Sequence, residues 1–416
     1  MRETLKTIYT AALAAVDPLI CLPPALPPRP RGVVRVIGAG KASARMARAL
    51  EEAYGPPLEG LVVTRYDYGD VTRHLRIVEA AHPVPDQAGA EAAKAILQLA
   101  QGAKPEDTLI ALISGGGSAL LSLPVAGVSL EAKQGLTRAL LASGATIAEI
   151  NCVRKHLSRI KGGRLAAASG AGRLLTFAIS DVPNDDPDVI ASGPTMPDPT
   201  SLAEARAILG QYKIVPVPQI AEALGNPANE TPKPGAPAFA RAEYKLIATA
   251  QTALDAAAKA ARLKGYRVID LGAHVEGEAH KVGAAHAERL MAEAGQGARL
   301  ALISGGELTV AGAGAHPGGR SREYALALAF ALSRAPEVAA RICGAALDTD
   351  GIDGSTDAAG AVFTPDTIAR AAARGVSPEQ ALAEHSSGAF FEALGDQIKT
   401  GPTKTNVGDL RIVLLD

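Results

Sequence analysis

Between Val33 and Leu50 the chain reads VVRVIGAGKASARMARAL, a stretch that restricts the fold more than any other. Val33, Val34, Val36 and Ile37 have the β-branched density of a buried parallel strand. The run breaks at Gly38, Ala39 and Gly40, and apolar residues return at helical spacing as Ala42, Met46, Ala49 and Leu50. Strand, tight turn and helix in that order specify an α/β architecture, and LEGLVVTR supplies the second strand of a βαβ unit. Glycines let the backbone approach a ligand, and the helix starting there directs free N–H groups and its positive dipole end into the turn. Lys41 adds a mobile positive charge, so the expected guest of Gly38, Gly40 and Lys41 is an anion, a phosphoryl group or a carboxylate.

The turn matches neither of the two familiar glycine signatures. A dinucleotide fingerprint needs glycine where Ser43 stands and an acid closing the next strand, and LVVTRY has none. A phosphate loop needs glycine at position 35 and Ser or Thr after the lysine, where the chain has Arg35 and Ala42. A nicotinamide site is therefore disfavoured.

The opening theme recurs. DTLIALISGGGSALLSLP runs an apolar strand into Ser114, Gly115, Gly116, Gly117 and Ser118, and GARLALISGGELTV repeats ALISGG and ends on Gly305 and Gly306. Consecutive glycines are costly in backbone entropy, so both loops read as phosphate contacts, and the shared hexapeptide fits an internal duplication. TFAIS is followed by Asp181, Asp185, Asp186 and Asp188 at the carboxyl edge where open α/β sheets bind ligands; these acids either hold a hard cation or cap turns beside Pro183 and Pro187. DTDGIDGSTD places Asp348, Asp350, Asp353 and Asp357 in a second acidic loop, a cation or sugar-hydroxyl site without the downstream Glu of a calcium hand. Asp181, Asp185, Asp350 and Asp353 are the expected magnesium ligands. AGAGAHPGGRSRE leads a glycine-rich loop into a long apolar helix carrying Arg320 and Arg322, suited to bidentate anion contact, with Glu323 able to pair with one of them. Most cations of NCVRKHLSRIKGGR form a solvated face, with one or two turned to a cleft; Arg154 and Arg322 are expected at a substrate carboxylate. His82, in AAHPVP, is either a loop histidine or a ligand contact.

At 416 residues the chain exceeds one ordinary core. The proline-rich stretch after residue 17 reads as an extended connector, and 216–237, rich in proline and glycine, reads as a linker between domains 1–236 and 237–416. A net charge of −1 with scattered Lys and Arg argues against nucleic acid and acidic membranes as partners. Cys21, Cys152 and Cys343 lack metal spacing, and no apolar run has membrane length, which together predict a cytoplasmic protein with free thiols. A homodimer is left open.

VIGAGKAS, AAHPVPDQAG, LISGGGSALL, NCVRKHLSRIKGGRLA, ISDVPNDDPDVIASGPT, LISGGELTV, GGRSRE, DTDGIDGSTDAAGA and GPTKTNVGDLRI resemble, in order and along nearly the whole chain, the glycerate 2-kinases of the MOFRL family. The resemblance implies a Rossmann-like amino-terminal domain with a mostly parallel sheet, a second mixed α/β domain, and an active site in the cleft between them. It also implies ATP with Mg2+ and conversion of D-glycerate to 2-phosphoglycerate, with Lys41 and Arg320 essential. The family commonly reads GGRNQE where this chain has Ser321 and Arg322 before Glu323. Two glycine loops, two acidic loops and these two cations are also the parts phosphoryl transfer needs. The rivals are an NAD(P)H-dependent hydroxypyruvate reductase and a non-catalytic nucleotide- or sugar-binding module.

Overall fold

The computed structural model describes residues 1–296, 299–310 and 318–416. They form two compact units, one of residues 18–247 and one that joins residues 1–17, with helix α1 (Arg2–Ala15), to 248–416.

The 18–247 unit runs through α2 (Pro18–Cys21), β1 (Val34–Ala39), α3 (Ser43–Tyr54), β2 (Leu58–Arg65), β3 (Arg76–Ala80), α4 (Gln87–Gln101), β4 (Thr108–Ile113) and α5 (Gly117–Leu120). It continues with α6 (Leu130–Ala142), α7 (Ile147–His156), α8 (Arg164–Ala168), β5 (Arg173–Ile179), α9 (Leu202–Gln211), α10 (Pro218–Gly225) and β6 (Ala242–Ala248). The sheet order is β3-β2-β1-β4-β5-β6, and β1 to β5 pair in parallel throughout. This doubly wound order reverses direction between β1 and β4, so the chain ends leaving those two strands diverge and open a crevice. Every residue of β4 is buried, as expected of a strand covered on both faces. Asp86 caps α4 as its sequence position predicts, its carboxylate accepting the Gly89 N–H at 3.0 Å.

Several expectations change. The proline stretch starts with the helical turn of α2 and a 3-10 turn at Pro23–Ala25 before it extends. The stretch 216–237 is not a linker. Its α10 buries Ile220, Ala223 and Leu224 in a helical cluster with Leu136, Leu140, Val153 and Leu209. Nor do most cations of NCVRKHLSRIKGGR form a solvated face: Lys155, His156 and Lys161 are buried and Arg154 and Arg164 partly so, because α7, α8 and the turn between them pack into the unit.

The other unit contains α11 (Ala250–Leu263), β7 (Arg267–Asp270), β8 (Gly277–Glu278), α12 (Ala279–Glu293), β9 (Leu300–Gly306), β10 (Leu308–Thr309) and α13 (Arg320–Leu332). After them come β11 (Ile342–Asp348), β12 (Gly360–Phe363), β13 (Gln397–Ile398) and β14 (Asp409–Leu415). Its main sheet is mixed, in the order β13-β12-β11-β14-β9-β7, with only β7 and β9 parallel. The two ALISGG segments therefore occupy different settings: β4 lies between parallel neighbours, whereas β9 has antiparallel β14 on one side.

The domain boundaries also differ from 1–236 and 237–416. β6 completes the first sheet beside β5, and α1 packs on α11. Leu5, Ile8, Tyr9 and Ala12 are buried there, and the Tyr9 hydroxyl lies 2.5 Å from Ala345 O and 3.0 Å from Leu410 O, on the central strands β11 and β14. An amphipathic helix goes where its apolar stripe is covered, whatever its distance along the chain. Among the described residues no single helix is long and apolar enough to cross a membrane.

Ile8 is fully buried in this arrangement. Ile8→Ala is expected to cost about 2–4 kcal/mol. In limited proteolysis it should open the 248–416 segment first and leave 18–247 protected.

Candidate active site

The crevice at the switch point is built by the ends of β1 and β4, which brace each other. Lys41 N–H donates to Gly115 O at 2.9 Å, Ala42 N–H to Ser114 Oγ at 3.0 Å, and the Ser43 hydroxyl to Leu112 O at 2.9 Å. Gly40, at φ +141°, lies so close that a Cβ would collide with Ser114. A Cβ on Gly38 would meet Leu112 O at 2.5 Å, and one on Gly117 would meet Ala39 O at 2.8 Å. Much of the glycine content read as ligand contact is therefore explained by two loops packed on each other. Ser114, expected at a phosphate, is fully buried and its hydroxyl is used in the brace.

Gly116 differs. It has φ +79° and is only partly buried, and a Cβ there would point at Lys41 Cγ at 3.3 Å and the His82 ring at 3.1 Å. Lys41, Gly116 and His82 thus form one small surface at the mouth of the crevice. The turn between β3 and α4 sets His82 beside Lys41, which the residues around it in sequence do not reveal.

Beyond β5 the acidic loop is conformationally strained. Asn184, Asp185, Ala191 and Ser192 all have positive φ, and Ala191, Ser192 and Gly193 make three consecutive left-handed residues. Such conformations cost about 1–3 kcal/mol each outside glycine and concentrate at functional segments. The strained turn places the buried Ser192 hydroxyl 2.7 Å from Ser118 Oγ and 3.4 Å from Asn151 Oδ1. Asp181 and Asp185 follow β5 as expected, while Asp188 accepts an ion pair from Lys155 at 2.9 Å. Arg154 sits on α7, partly buried, with no hydrogen bond or ion pair to any described residue.

In the other unit the expected anion sites are filled from within. The amino terminus of α13 does attract an anion, and that anion is Asp353. Its carboxylate accepts Ser321 N–H at 3.0 Å and Arg322 N–H at 3.1 Å, and pairs with Arg322 Nε at 2.9 Å. Gly319 is required because a Cβ would collide with that carboxylate. Both side chains of the pair are fully buried. Arg322 and Asp353, expected at substrate and metal, instead hold the loop onto the helix; burial pushes the Asp353 carboxyl up, and the guanidinium and Ser321 N–H oppose that rise. Glu323 bonds His385 Nδ1 at 2.8 Å rather than an arginine. Gly305 and Gly306 are not open to a phosphate either: Arg411 donates to both carbonyls, and a Cβ on Gly306 would collide with Val275. Asp350 is buried and accepts Ile352 N–H at 2.8 Å. The glycine stretch 311–317 that precedes Gly318 lies outside the described residues.

Arg320 starts α13 and is held by three acids: Asp409 at 2.8 Å, Asp348 at 2.9 Å and Glu307. Burial alone would lower its proton affinity, and the three carboxylates more than reverse that. Asp409 is fully buried and also takes Arg411 at 3.1 Å, so it bridges two guanidiniums. Glu307 and Asp409 were not singled out from the sequence. The sign available was Asp409 and Arg411 alternating inside the apolar run DLRIVLL, a strand that should carry no charge unless the charges are paired.

Fold and site together define a two-unit α/β protein whose parallel sheet presents a lysine and a glycine loop at its switch point. The pattern of a domain of unknown function, DUF4147, matches residues 4–225, and that of the MOFRL family matches residues 300–409. D-glycerate 2-kinase of Thermotoga maritima is 38% identical, covering 98% of this chain and 97% of that protein. The crystal structure of glycerate kinase from the same organism superposes with a TM-score of 0.88 at 36% identity over all of both chains. A protein of Agrobacterium vitis, 47% identical over 100% of this chain and 94% of its own length, bears a name that assigns hydroxypyruvate reduction only provisionally. The chain belongs to the glycerate kinases of the MOFRL family.

Removing one half of the internal ion pair tests the reassignment of Asp353. Asp353→Asn leaves Arg322 buried and uncompensated, and is expected to cost about 3–5 kcal/mol. Thermal unfolding should show it, and a variant that melts like the parent while losing only metal affinity would return Asp353 to a ligand role.

Proposed function

We propose that the chain transfers the γ-phosphoryl group of ATP to the 2-hydroxyl of D-glycerate, giving 2-phosphoglycerate and ADP. The observation that carries this reading is Lys41 set against Gly116 at the β1–β4 switch point, where open parallel sheets bind their ligands. A new bond forms between the glycerate O2 and the γ-phosphorus, the bond from that phosphorus to the bridging oxygen breaks with its electrons leaving on ADP, and the hydroxyl proton is released. In a loose transition state the protein's task is to position and to neutralise charge. Lys41 supplies a cation to the transferring phosphoryl, and the backbone at Gly116 allows close approach.

Arg320 offers five N–H groups, three of them occupied by Asp409, Asp348 and Glu307. Two remain for an anionic oxygen. Glu307 is the exposed partner, its side chain 54% accessible against 9% and 0% for Asp348 and Asp409, so it is the one an incoming oxygen would displace.

Among the described residues no group of three or more His, Cys, Asp or Glu is arranged to hold a metal. That fits the sparse kind of magnesium site, one or two carboxylates completed by nucleotide phosphates and water. Asp181 and Asp185 are the acids we retain for it, and not Asp353 or Asp350. The ion would offset charge on the phosphate oxygens. We also read the protein as cytoplasmic, with Cys21, Cys152 and Cys343 as free thiols.

Hydroxypyruvate reduction, the activity in the name of the Agrobacterium vitis relative, requires a nicotinamide site. Ser43 occupies the third glycine position and its hydroxyl is tied to Leu112 O, and β2 closes on Thr64 and Arg65 without a carboxylate for a ribose.

Purified protein with D-glycerate, ATP and magnesium should release ADP and yield 2-phosphoglycerate by phosphorus NMR. Chelator should stop the reaction, and no NADH should be consumed with hydroxypyruvate; NADH turnover without ADP release would overturn the assignment. Lys41→Ala should lower kcat by about a hundredfold or more while the melting temperature stays near the parent value.

A further inference from the structure

Behind α5 lies a group of cations that the transfer chemistry above does not use. Lys133 on α6 is buried, and its ammonium donates to Leu157 O at 3.2 Å, at the end of α7. Lys161, in the turn between α7 and α8, is 1% exposed and donates to Ser118 O at 2.6 Å and Leu121 O at 2.8 Å, one at each end of α5. Arg154 stands on α7, ahead of the Leu157 carbonyl that Lys133 reaches and of the Lys161 turn along the chain, and after burial its charge adds to what depresses the proton affinity of each lysine. Burial, then Arg154 and Arg164, bring Lys133 down to about 7.

No carboxylate among the described residues pairs with any of the three. Lys155 on the same helix shows the contrast, with Asp188 at 2.9 Å and Asp198 at 3.4 Å. Burial disfavours the charged form of these groups, and an anion bound beside them would restore it and be held by it in turn. The same turn carries neutral polar groups next to the cations. Gly162 N–H donates to Ser192 O and Gly163 N–H to Gly193 O, which fixes the strained turn against Lys161 and sets the Ser192, Ser118 and Asn151 side chains in one row.

We propose that Lys133, Arg154 and Lys161 form the subsite for the carboxylate of the acceptor acid, with Ser118, Ser192 and Asn151 receiving its hydroxyl groups. This rests on the kinase reading for the identity of the acid. A lone carboxylate on a short hydroxylated chain matches cations set beside three neutral polar side chains, whereas the polyphosphate of a nucleotide is larger and finds its open surface at Gly116. Lys161 has a second effect, because its two carbonyl contacts clamp α5 and so hold Ser118 in place. Discrimination follows: an uncharged analogue leaves the cations unpaired and is rejected, as sites built around a specific polar group reject ligands lacking it.

The test uses the full chain, Arg154→Gln, Arg154→Lys and Lys133→Met, each checked for folding by circular dichroism. Calorimetry with D-glycerate, its amide and inorganic phosphate is combined with KM values for glycerate and ATP. The parent should prefer glycerate to the amide by about tenfold or more, a preference lost in Arg154→Gln and partly kept in Arg154→Lys. Glycerate KM should rise about tenfold in Arg154→Gln and Lys133→Met, with ATP KM within about twofold of the parent. Folded variants with parental glycerate affinity would overturn the subsite. So would a rise in ATP KM alone, or phosphate binding with no glycerate binding, either of which would assign the cations to the nucleotide. Parental glycerate binding that these variants abolish, without any ADP release, would instead sink the kinase reading and leave the subsite standing.

Discussion

The brace between the ends of β1 and β4 is the contact on which the rest of the 18–247 unit depends. Two loops meet backbone to backbone: Lys41 N–H on Gly115 O, Ala42 N–H on Ser114 Oγ, Ser114 N–H on Ala39 O. Side chains at positions 38, 40 and 117 would force them apart. The switch point of a doubly wound sheet would otherwise be a gap lined with unsatisfied amides, and here it is closed at its base and open at its rim. The rim is where Lys41, Gly116 and His82 stand, so packing underneath fixes a charged side chain above.

The 248–416 unit solves a different problem, that of keeping charge inside a mixed sheet. Asp409 and Arg411 face the same side of the central strand β14, and each has its partner: Asp409 between Arg320 and Arg411, Arg411 on Asp409 and the carbonyls of Gly305 and Gly306. Asp353 does the same for the start of α13. Pairs of this kind add little net stability over an apolar core, but losing either member is severe, so they act as alignment devices for the loops that bear them. Arg320 reaches its position through that alignment, with Asp348 and Asp409 setting its plane and Glu307 closing the exposed end.

A single electrostatic idea relates these features to function. Where the protein needs charge to stay inside, it supplies the counter-ion itself, as at Arg322, Lys155 and Arg411. At Arg154, Lys133 and Lys161 no carboxylate among the described residues plays that part, and the lysines have only backbone carbonyls, which is why the proposed acceptor subsite falls there. Asp353 and Arg322 satisfy each other, whereas these three cations have no carboxylate among the described residues.

The sequence alone determined the α/β class, the strand–turn–helix at Lys41, the cap at Asp86 and the family, because these depend on residues close along the chain or on motifs with a fixed order. Periodicity within one window is enough for a strand or a helix, and a glycine turn can be recognised from its own residues. What only the tertiary structure decided are relations between distant segments. Whether a glycine faces a ligand or another loop turned on Ser114, at the end of a different strand, lying opposite Gly40. That α1 belongs with 248–416, that 218–225 is a packed helix, and that the anion at α13 is Asp353 all follow from which surface each segment finds to cover it. Burial and pairing are properties of neighbours in space, and a linear pattern of charges does not state them.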